Sequence, residues 1–162
     1  MNKKLTVKDI LESKGKKKLT QVYVHSPLEA NACEQSGIDM IVSSENNNFK
    51  FLRESAMNTF FTVGLQFGRY LSEYEIIKRS FQLLETGADA IYCPQSSRFI
   101  KAIANEGIPV VGHAGFIPYK ATHYGGFKAY GKNLNEAKKI LKQIHTLQEA
   151  GAFATEIEIV PE

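Results

Sequence analysis

The stretch TGADAIY, residues 86–92, contains the end of a helical pattern, a glycine and the start of an apolar strand pattern. SGIDMIV at 36–42 and AGAFATEI at 150–157 place a glycine at the same point between the same two patterns. One helix-to-strand unit is therefore repeated along the chain. This repetition is typical of a (β/α) barrel.

The segment before this stretch is the clearest helix in the sequence. In SEYEIIKRSFQLLETG, residues 72–87, Ser72 and Glu75 form a capping box and Gly87 ends the helix. Apolar residues recur three and four positions apart, which predicts one buried helix face. These residues are Ile76, Ile77, Phe81 and Leu84.

Six strands alternate with helices of this kind. The strands read as continuous apolar runs, which predicts a parallel sheet covered by helices. We therefore expect an α/β fold of the (β/α)8 TIM-barrel type, with about six βα units, forming a single partial barrel domain over residues 1–162. Because a complete barrel needs eight units, we also expect the sequence to be a fragment. The predicted strands are 21–25, 39–44, 59–67, 88–94, 108–115 and 153–161.

Composition is that of a globular protein, with 43% hydrophobic and 23% charged residues and a net charge of +3. The lysine-rich run 13–18 carries no interleaved aromatic residues, so it predicts a solvated helix end and no nucleic-acid partner. The N-terminus lacks the apolar core of a signal peptide, and no apolar run approaches the ~20 residues of a membrane span. We expect a cytoplasmic protein without a membrane partner. Cys33 and Cys93 match no zinc motif and are expected to be buried free thiols.

Polar residues lie where the predicted strands end. In parallel α/β folds, chemistry occurs at this carboxyl edge of the sheet. A histidine there can donate a hydrogen bond to substrate, and a carboxylate can remove a proton from a carbon next to a carbonyl. The candidates in chain order are Ser44 and Glu45, Gln66, Tyr92 and Cys93, His113, and Glu158.

Three motifs in the second half of the chain form an ordered set. Glycines after His113 allow the backbone to approach a ligand closely. The motifs are GHxGxxP at residues 112–118, GGFKxxG at 125–131 and ExVP at 158–161. In order and spacing they resemble the ketopantoate hydroxymethyltransferase family of the phosphoenolpyruvate mutase and isocitrate lyase superfamily.

The resemblance implies a (β/α)8 barrel that forms large homo-oligomers. It also implies an activity: transfer of a hydroxymethyl group from 5,10-methylenetetrahydrofolate to the 2-oxo acid 3-methyl-2-oxobutanoate, giving ketopantoate for pantothenate biosynthesis. Glu158 would be the base that removes the C3 proton, and His113 would donate to substrate. The other candidate substrate-binding residues are Ser44, Glu45, Tyr92 and Lys128, although Lys128 also fits an exposed loop lysine.

The sequence departs from the family at its magnesium site. Ser44 and Gly64 stand where the family has metal-binding aspartates, and Tyr92-Cys93-Pro94 replaces a Lys-Ile-Glu motif. The chain also lacks about twenty residues between the second and third strands. Mg²⁺ prefers carboxylate oxygens, so these replacements argue against metal binding in the family's manner. Glu45 is the remaining candidate metal ligand.

Two interpretations therefore stay open. The first is a 3-methyl-2-oxobutanoate hydroxymethyltransferase-like enzyme that forms an enolate. The second is a divergent non-catalytic or regulatory paralogue, or another C–C bond lyase or mutase of the superfamily, that has lost the metal site. Proton exchange at C3 of the 2-oxo acid separates an enzyme from a non-catalytic protein.

Overall fold

A computed structural model describes residues 4–45 and 48–161. Its centre is one sheet in which six parallel strands follow one another in chain order. Within the described residues β1 and β6 are the edge strands, so the sheet is an open half-barrel. This topology confirms the prediction of repeated βα units. The strands are β1 (Gln21–Tyr23), β2 (Met40–Ser44), β3 (Phe60–Gly64), β4 (Ala90–Tyr92), β5 (Val110–Gly115) and β6 (Ala154–Glu158).

Helices occupy the segments between the strands, as the sequence predicts. The segment after β5 differs: predicted as a glycine-rich loop, it contains a 3₁₀ helix at Pro118–Tyr124. No helix within the described ranges is long and apolar enough to cross a membrane. The α-helices are α1 (Val7–Ser13), α2 (Pro27–Gln35), α3 (Phe49–Ser55), α4 (Glu73–Glu85), α5 (Ser97–Asn105) and α6 (Leu134–Glu149).

The hydrophobic core lies between the helices and the convex face of the sheet. Successive side chains of a strand point to opposite faces, so every second strand residue packs under the helices. Cys33 and Cys93 belong to this core as free thiols, as predicted. Burial raises the pKa of Cys93 to about 12, so its thiol stays protonated. Fully buried core residues include Ile41, Phe61, Ile91 and Val110 from strands, and Ile76, Leu83 and Ile103 from helices.

The alternate strand residues form the concave face. Met40, Phe60 and Val111 lie on it and line one cavity. Because all six strands run in the same direction, their carboxyl ends meet at one edge of this face. The polar residues that end the strands are therefore brought together there.

The aspartates of two of the repeated glycine segments form hydrogen bonds to the neighbouring strand or the segment before it, at the amino ends of the strands. Asp39 accepts hydrogen bonds from the amide and hydroxyl of Thr20 at 2.8 and 2.9 Å. Asp89 accepts from the amide of Phe61 at 2.9 Å and from Arg53 at 3.1 Å. Equivalent positions of the repeat thus perform the same structural task at the amino ends of the strands.

Asp39→Asn is expected to lower the free energy of unfolding by about 1 kcal/mol at neutral pH. The hydrogen bond from the Thr20 amide, followed by bonds from Lys17 and the Thr20 hydroxyl, lowers the pKa of Asp39. A carboxyl with a lowered folded-state pKa stabilises the fold above its unfolded pKa of about 3.9, and this stability is lost as pH falls through the folded value. Urea unfolding across pH should therefore show the wild-type advantage at pH 7 and its disappearance in acid. A constant difference would contradict this assignment.

Candidate active site

Six residues that the sequence places at or near strand ends line one cavity of about 470 Å³, which extends along the concave face to the carboxyl ends of the strands. We call it the mouth cavity. All six strands contribute to its lining, and β3 does so through Phe60, Thr62 and its terminal glycine. The six residues are Ser44, Gly64, Gln66, Tyr92, His113 and Glu158.

Tyr92 and His113 form a close pair in this cavity. The Tyr92 hydroxyl lies 2.5 Å from Nδ1 of His113. On the other side of the ring, Nε2 lies 3.2 Å from the carbonyl oxygen of Phe116 and 3.2 Å from Oε2 of Glu158. A carbonyl and a carboxylate only accept, so Nε2 carries a proton and donates to these partners.

The Tyr92 phenol is held in its protonated form. Burial, followed by the negative charge and hydrogen bond of Glu156 and the charge of Glu158, raises the pKa of Tyr92. A phenol in this state remains a hydrogen-bond donor at neutral pH. The mouth cavity therefore combines a donor, Tyr92, with a carboxylate acceptor, Glu158, on either side of one imidazole.

The backbone of Gly115 fixes the position of Glu158. Gly115 pairs with Glu158 across β5 and β6, and the amide of Phe116 donates to the Glu158 carbonyl at 2.9 Å. At Gly115 φ is +85°, and a Cβ there would lie 2.6 Å from the Glu158 carbonyl oxygen. Directly after Glu158, Ile159 has φ +47°, which is an outlier for a β-branched residue. This strain is of the kind found at functional sites.

Gly115→Ala is expected to destabilise the fold by more than the ~1 kcal/mol of a left-handed alanine alone, because its methyl group would push β6 away from β5. Gly37→Ala is the matched control, since Gly37 has φ +75° and open space around its Cβ position. Urea midpoints of the two variants isolate the effect of close approach. Equal losses would show that Glu158 is not held by this contact.

Glu45 lies outside the mouth cavity. Its fully buried carboxylate accepts hydrogen bonds from the backbone amide of Gln66 at 2.9 Å, from Nε of Arg79 at 2.7 Å and from the Tyr70 hydroxyl. These donors tie the end of β2 to the β3–α4 connection and to α4. The structure thus gives Glu45 a structural role: its carboxylate binds the backbone of Gln66 and does not enter the cavity that Tyr92, His113 and Glu158 line.

Lys128 also lies apart from the candidate site. It is exposed on the segment between the 3₁₀ helix and α6, and its Nζ lies 3.7 Å from the position of a Cβ on Gly125. It does not line the mouth cavity. Its assignment to substrate binding stays a prediction.

The positions at which the family resemblance places magnesium ligands do not fit a magnesium ion in this chain. Ser44, Gly64 and Tyr92 supply no carboxylate at the positions where the sequence comparison expects metal ligands. No group of three or more His, Cys, Asp or Glu side chains in residues 4–45 and 48–161 could hold a metal ion. Mg²⁺ favours one or two carboxylates with near-octahedral geometry, and these three positions offer none.

The sequence interpretation missed Glu156. It lines the mouth cavity, and its negative charge contributes to the raised pKa of Tyr92. Two positions before Glu158, it shares the concave face because strand side chains alternate. The signal was present in the spacing of TEIE at 155–158, once one glutamate was placed on that face.

The fold and the mouth cavity together indicate the class of protein. The sheet is that of a parallel barrel, and its strand ends bring a carboxylate, an imidazole and a protonated phenol to one cavity, which are groups that can transfer protons. Sequence comparison gives the family. A model of ketopantoate hydroxymethyltransferase matches residues 46–162, and the chain belongs to this family.

Curated relatives carry the name 3-methyl-2-oxobutanoate hydroxymethyltransferase. The protein of Kosmotoga olearia is 30% identical over 98% of this chain and 68% of its own length, and that of Pyrococcus furiosus is 28% identical over 98% and 64%. That of Deinococcus radiodurans is 36% identical over 69% and 42%. The chain thus spans about two thirds of the length of the first two relatives. These names confirm the prediction of a hydroxymethyltransferase-family enzyme, and the alternatives gain no better support.

The alignments with the Kosmotoga and Pyrococcus proteins extend over 182 positions, more than the 162 residues of the chain. These relatives therefore carry about twenty residues that this chain lacks, and the placement of these residues between the second and third strands stays a prediction. Among solved structures, the carboxyl transferase domain of Rhizobium etli pyruvate carboxylase superposes with a TM-score of 0.60 at 12% identity, covering 85% of this chain and 26% of that one. This likeness confirms the barrel fold.

Proposed function

We propose that this protein transfers a hydroxymethyl group to C3 of 3-methyl-2-oxobutanoate, giving ketopantoate for pantothenate biosynthesis. The observation that carries the proposal is the convergence of Glu158, His113 and Tyr92 on the mouth cavity. Family membership supports the choice of reaction. A cavity of about 470 Å³ is ample for this small 2-oxo acid.

The first step is removal of the C3 proton by Glu158. The C3–H bond breaks, its electron pair forms a C2=C3 double bond, and negative charge moves to the C2 oxygen. Glu158 suits this task because its carboxylate is partly exposed to the cavity, with a side-chain exposure of 31%. Its position is fixed by the β5–β6 pairing, so the base is held ready for the carbon.

The charge that develops on the C2 oxygen needs a donor. The Tyr92 hydroxyl is protonated and can rotate from Nδ1 of His113 toward the substrate oxygen. In a buried site such a donor stabilises the enolate more than water does. His113 acts beside it by holding the phenol in place, and Ser44 adds a polar side chain at the neighbouring strand end.

The second step joins the enolate carbon to a one-carbon unit, for which 5,10-methylenetetrahydrofolate is the proposed donor. A C3–C bond would form as one of the two C–N bonds to the methylene carbon breaks, and water would then replace the second nitrogen and supply the hydroxyl group. The two released nitrogens of tetrahydrofolate would take up one proton from water and the proton held by Glu158. The residues of the mouth cavity then return to their starting protonation states when Glu158 loses the proton it took. No metal ion enters these steps.

Three further proposals rest on resemblance and sequence pattern. We propose that the protein forms homo-oligomers, as the family does, and that it acts in the cytoplasm on small molecules without a nucleic-acid or membrane partner. Light scattering of the purified chain tests the first point. Retention of full activity after dialysis against a chelator tests whether catalysis proceeds without Mg²⁺.

A non-catalytic paralogue is the second candidate function, favoured by the absence of carboxylates at Ser44 and Gly64. Such a protein would bind a small 2-oxo acid in the mouth cavity without exchanging its C3 proton. Binding without exchange in deuterated water would support this alternative over the enzyme.

Tyr92→Phe is expected to slow C3 proton exchange by about 10- to 100-fold, since it removes one hydrogen bond to a charged oxygen. Loss of the phenol should lower kcat more than it raises KM, because the oxygen is charged only in the transition state and the enolate. Tyr74→Phe is the control, because Tyr74 lies on the surface of α4 with 72% exposure. Equal rates for both variants would remove Tyr92 from the mechanism.

A further inference from the structure

A second cavity, of about 540 Å³, lies beside the mouth cavity. The amino end of α5, the 3₁₀ helix and α6 surround it. His113 lines both cavities. A ligand in the second cavity would therefore reach the same imidazole that contacts Tyr92 and Glu158.

The second cavity is basic, whereas the mouth cavity is acidic. Its lining contains Lys120, Lys139, Lys142 and His123 and includes no aspartate or glutamate. The mouth cavity by contrast contains two glutamates and no lysine or arginine. We refer to this second space, lined by these three lysines, as the basic cavity. Its charge selects an anionic ligand.

The lysines of α6 are placed by helix spacing. Lys139, Lys142, Gln143 and Thr146 lie three, four and seven positions apart, so they share one helix face. Within residues 4–45 and 48–161 none of the three cavity lysines forms an ion pair, whereas Lys4 and Lys17 bind carboxylates. Their charge is thus not neutralised by the protein.

The opposite wall offers hydrogen-bonding groups. Ser96 precedes α5 without a side-chain bond to the helix, and Ser96 and Ser97 line the cavity at the amino end of this nine-residue helix, where the helix dipole favours negative charge. Gln95 donates through Nε2 to the Tyr70 carbonyl, but its buried Oε1 lacks a partner among the described residues. A ligand that carries anionic oxygens and an N–H group would satisfy both features.

We propose that the basic cavity binds the carboxylate-bearing tail of a folate, the glutamate or polyglutamate portion of the one-carbon donor. This rests on the proposed function, which requires two substrates to meet at one carbon. The 2-oxo acid places its C3 beside Glu158 in the mouth cavity, with the Tyr92 hydroxyl as the hydrogen-bond donor to its oxygens, and the folate tail with its several carboxylates occupies the basic cavity on the other side of His113. The folate amide N–H supplies the partner for Gln95 Oε1. A free inorganic or organic anion shares this chemistry, so the experiment separates the two sources.

The test is calorimetric binding of tetrahydrofolate in its monoglutamate and triglutamate forms, at low and high salt, with inorganic phosphate as the generic anion. Wild-type protein should bind the triglutamate more tightly, and high salt should remove the difference. The Lys139→Gln/Lys142→Gln variant should bind the triglutamate about 5- to 30-fold more weakly. Lys138→Gln, which removes an exposed α6 lysine outside the lining, should bind as wild type does.

Equal affinity of wild type and the double variant for the triglutamate would overturn the proposal. Phosphate binding that depends on the two lysines, without any preference for the triglutamate, would assign the cavity to free anions and overturn the folate assignment. Proton exchange at C3 in the absence of folate is measured separately. Its absence would refute the proposed enzyme while the binding comparison still decides what the basic cavity takes.

Discussion

Replacing Glu158 with glutamine is expected to lower the rate of C3 proton exchange by about 10²- to 10⁴-fold, the usual contribution of a general base. Glutamine keeps the shape of the side chain but cannot accept the proton. Because Glu158 is partly exposed and lies on an edge strand, the fold should tolerate the change. Exchange of the 2-oxo acid followed by proton NMR measures the effect, and circular dichroism confirms that the variant is folded.

Two matched variants sharpen this result. Glu149→Gln alters an exposed carboxylate at the end of α6 and should leave exchange unchanged. Glu156→Gln removes the negative charge that contributes to the raised pKa of Tyr92, so it should alter the pH dependence of exchange at high pH, where Tyr92 would ionise at lower pH than in wild type. If Glu158→Gln exchanges as fast as wild type while Glu156→Gln does not, the base is Glu156.

The largest expected effect on stability is that of Phe61→Ala, about 3–5 kcal/mol. Phe61 is fully buried on the convex face of β3, at the centre of the strand order. Its truncation leaves a cavity that the surrounding sheet and helices can close only in part. Since domains have total stabilities of about 5–15 kcal/mol, this one change removes a large fraction. Urea unfolding followed by circular dichroism measures it.

Phe51→Ala is the control for this prediction, because Phe51 lies on α3 with 54% of its surface exposed. Its loss should change the free energy of unfolding by less than about 1 kcal/mol. A Phe61→Ala variant as stable as Phe51→Ala would show that the helix-covered face of the sheet is not the main core.

Local patterns were sufficient to predict the repeated architecture. The capping box at Ser72 and the glycines after the helices depend on neighbouring residues alone, and each is present in the structure. Parallel strands in chain order then bring their carboxyl ends together by geometry. For this reason the sequence could also predict that His113 and Glu158 would meet.

Features that depend on packing between distant elements were beyond the sequence. Glu45 follows β2 like a site residue, yet residues 66, 70 and 79 enclose its carboxylate. The basic cavity combines α5, α6 and a 3₁₀ helix that the glycine-rich segment did not predict. Spacing within one element shows which residues share a face, but not which other element covers it.

At Tyr92 this chain differs from its family in a residue that lines the candidate active site. The family motif has Lys-Ile-Glu at this strand end, and this chain has a phenol bonded to His113 instead. A protonated phenol supplies one donor where the family places a lysine and a metal-supporting glutamate. We therefore expect enolate formation to depend on hydrogen bonding and to tolerate the removal of divalent cations.

The most direct measurement is proton NMR of 3-methyl-2-oxobutanoate in deuterated water with the wild-type chain, with and without chelator and in the absence of folate. We expect the C3 proton signal to be lost at a rate that is proportional to protein concentration. This rate should be the same with and without chelator. A C3 signal that persists at every protein concentration, or that is lost only when Mg²⁺ is added, would contradict it.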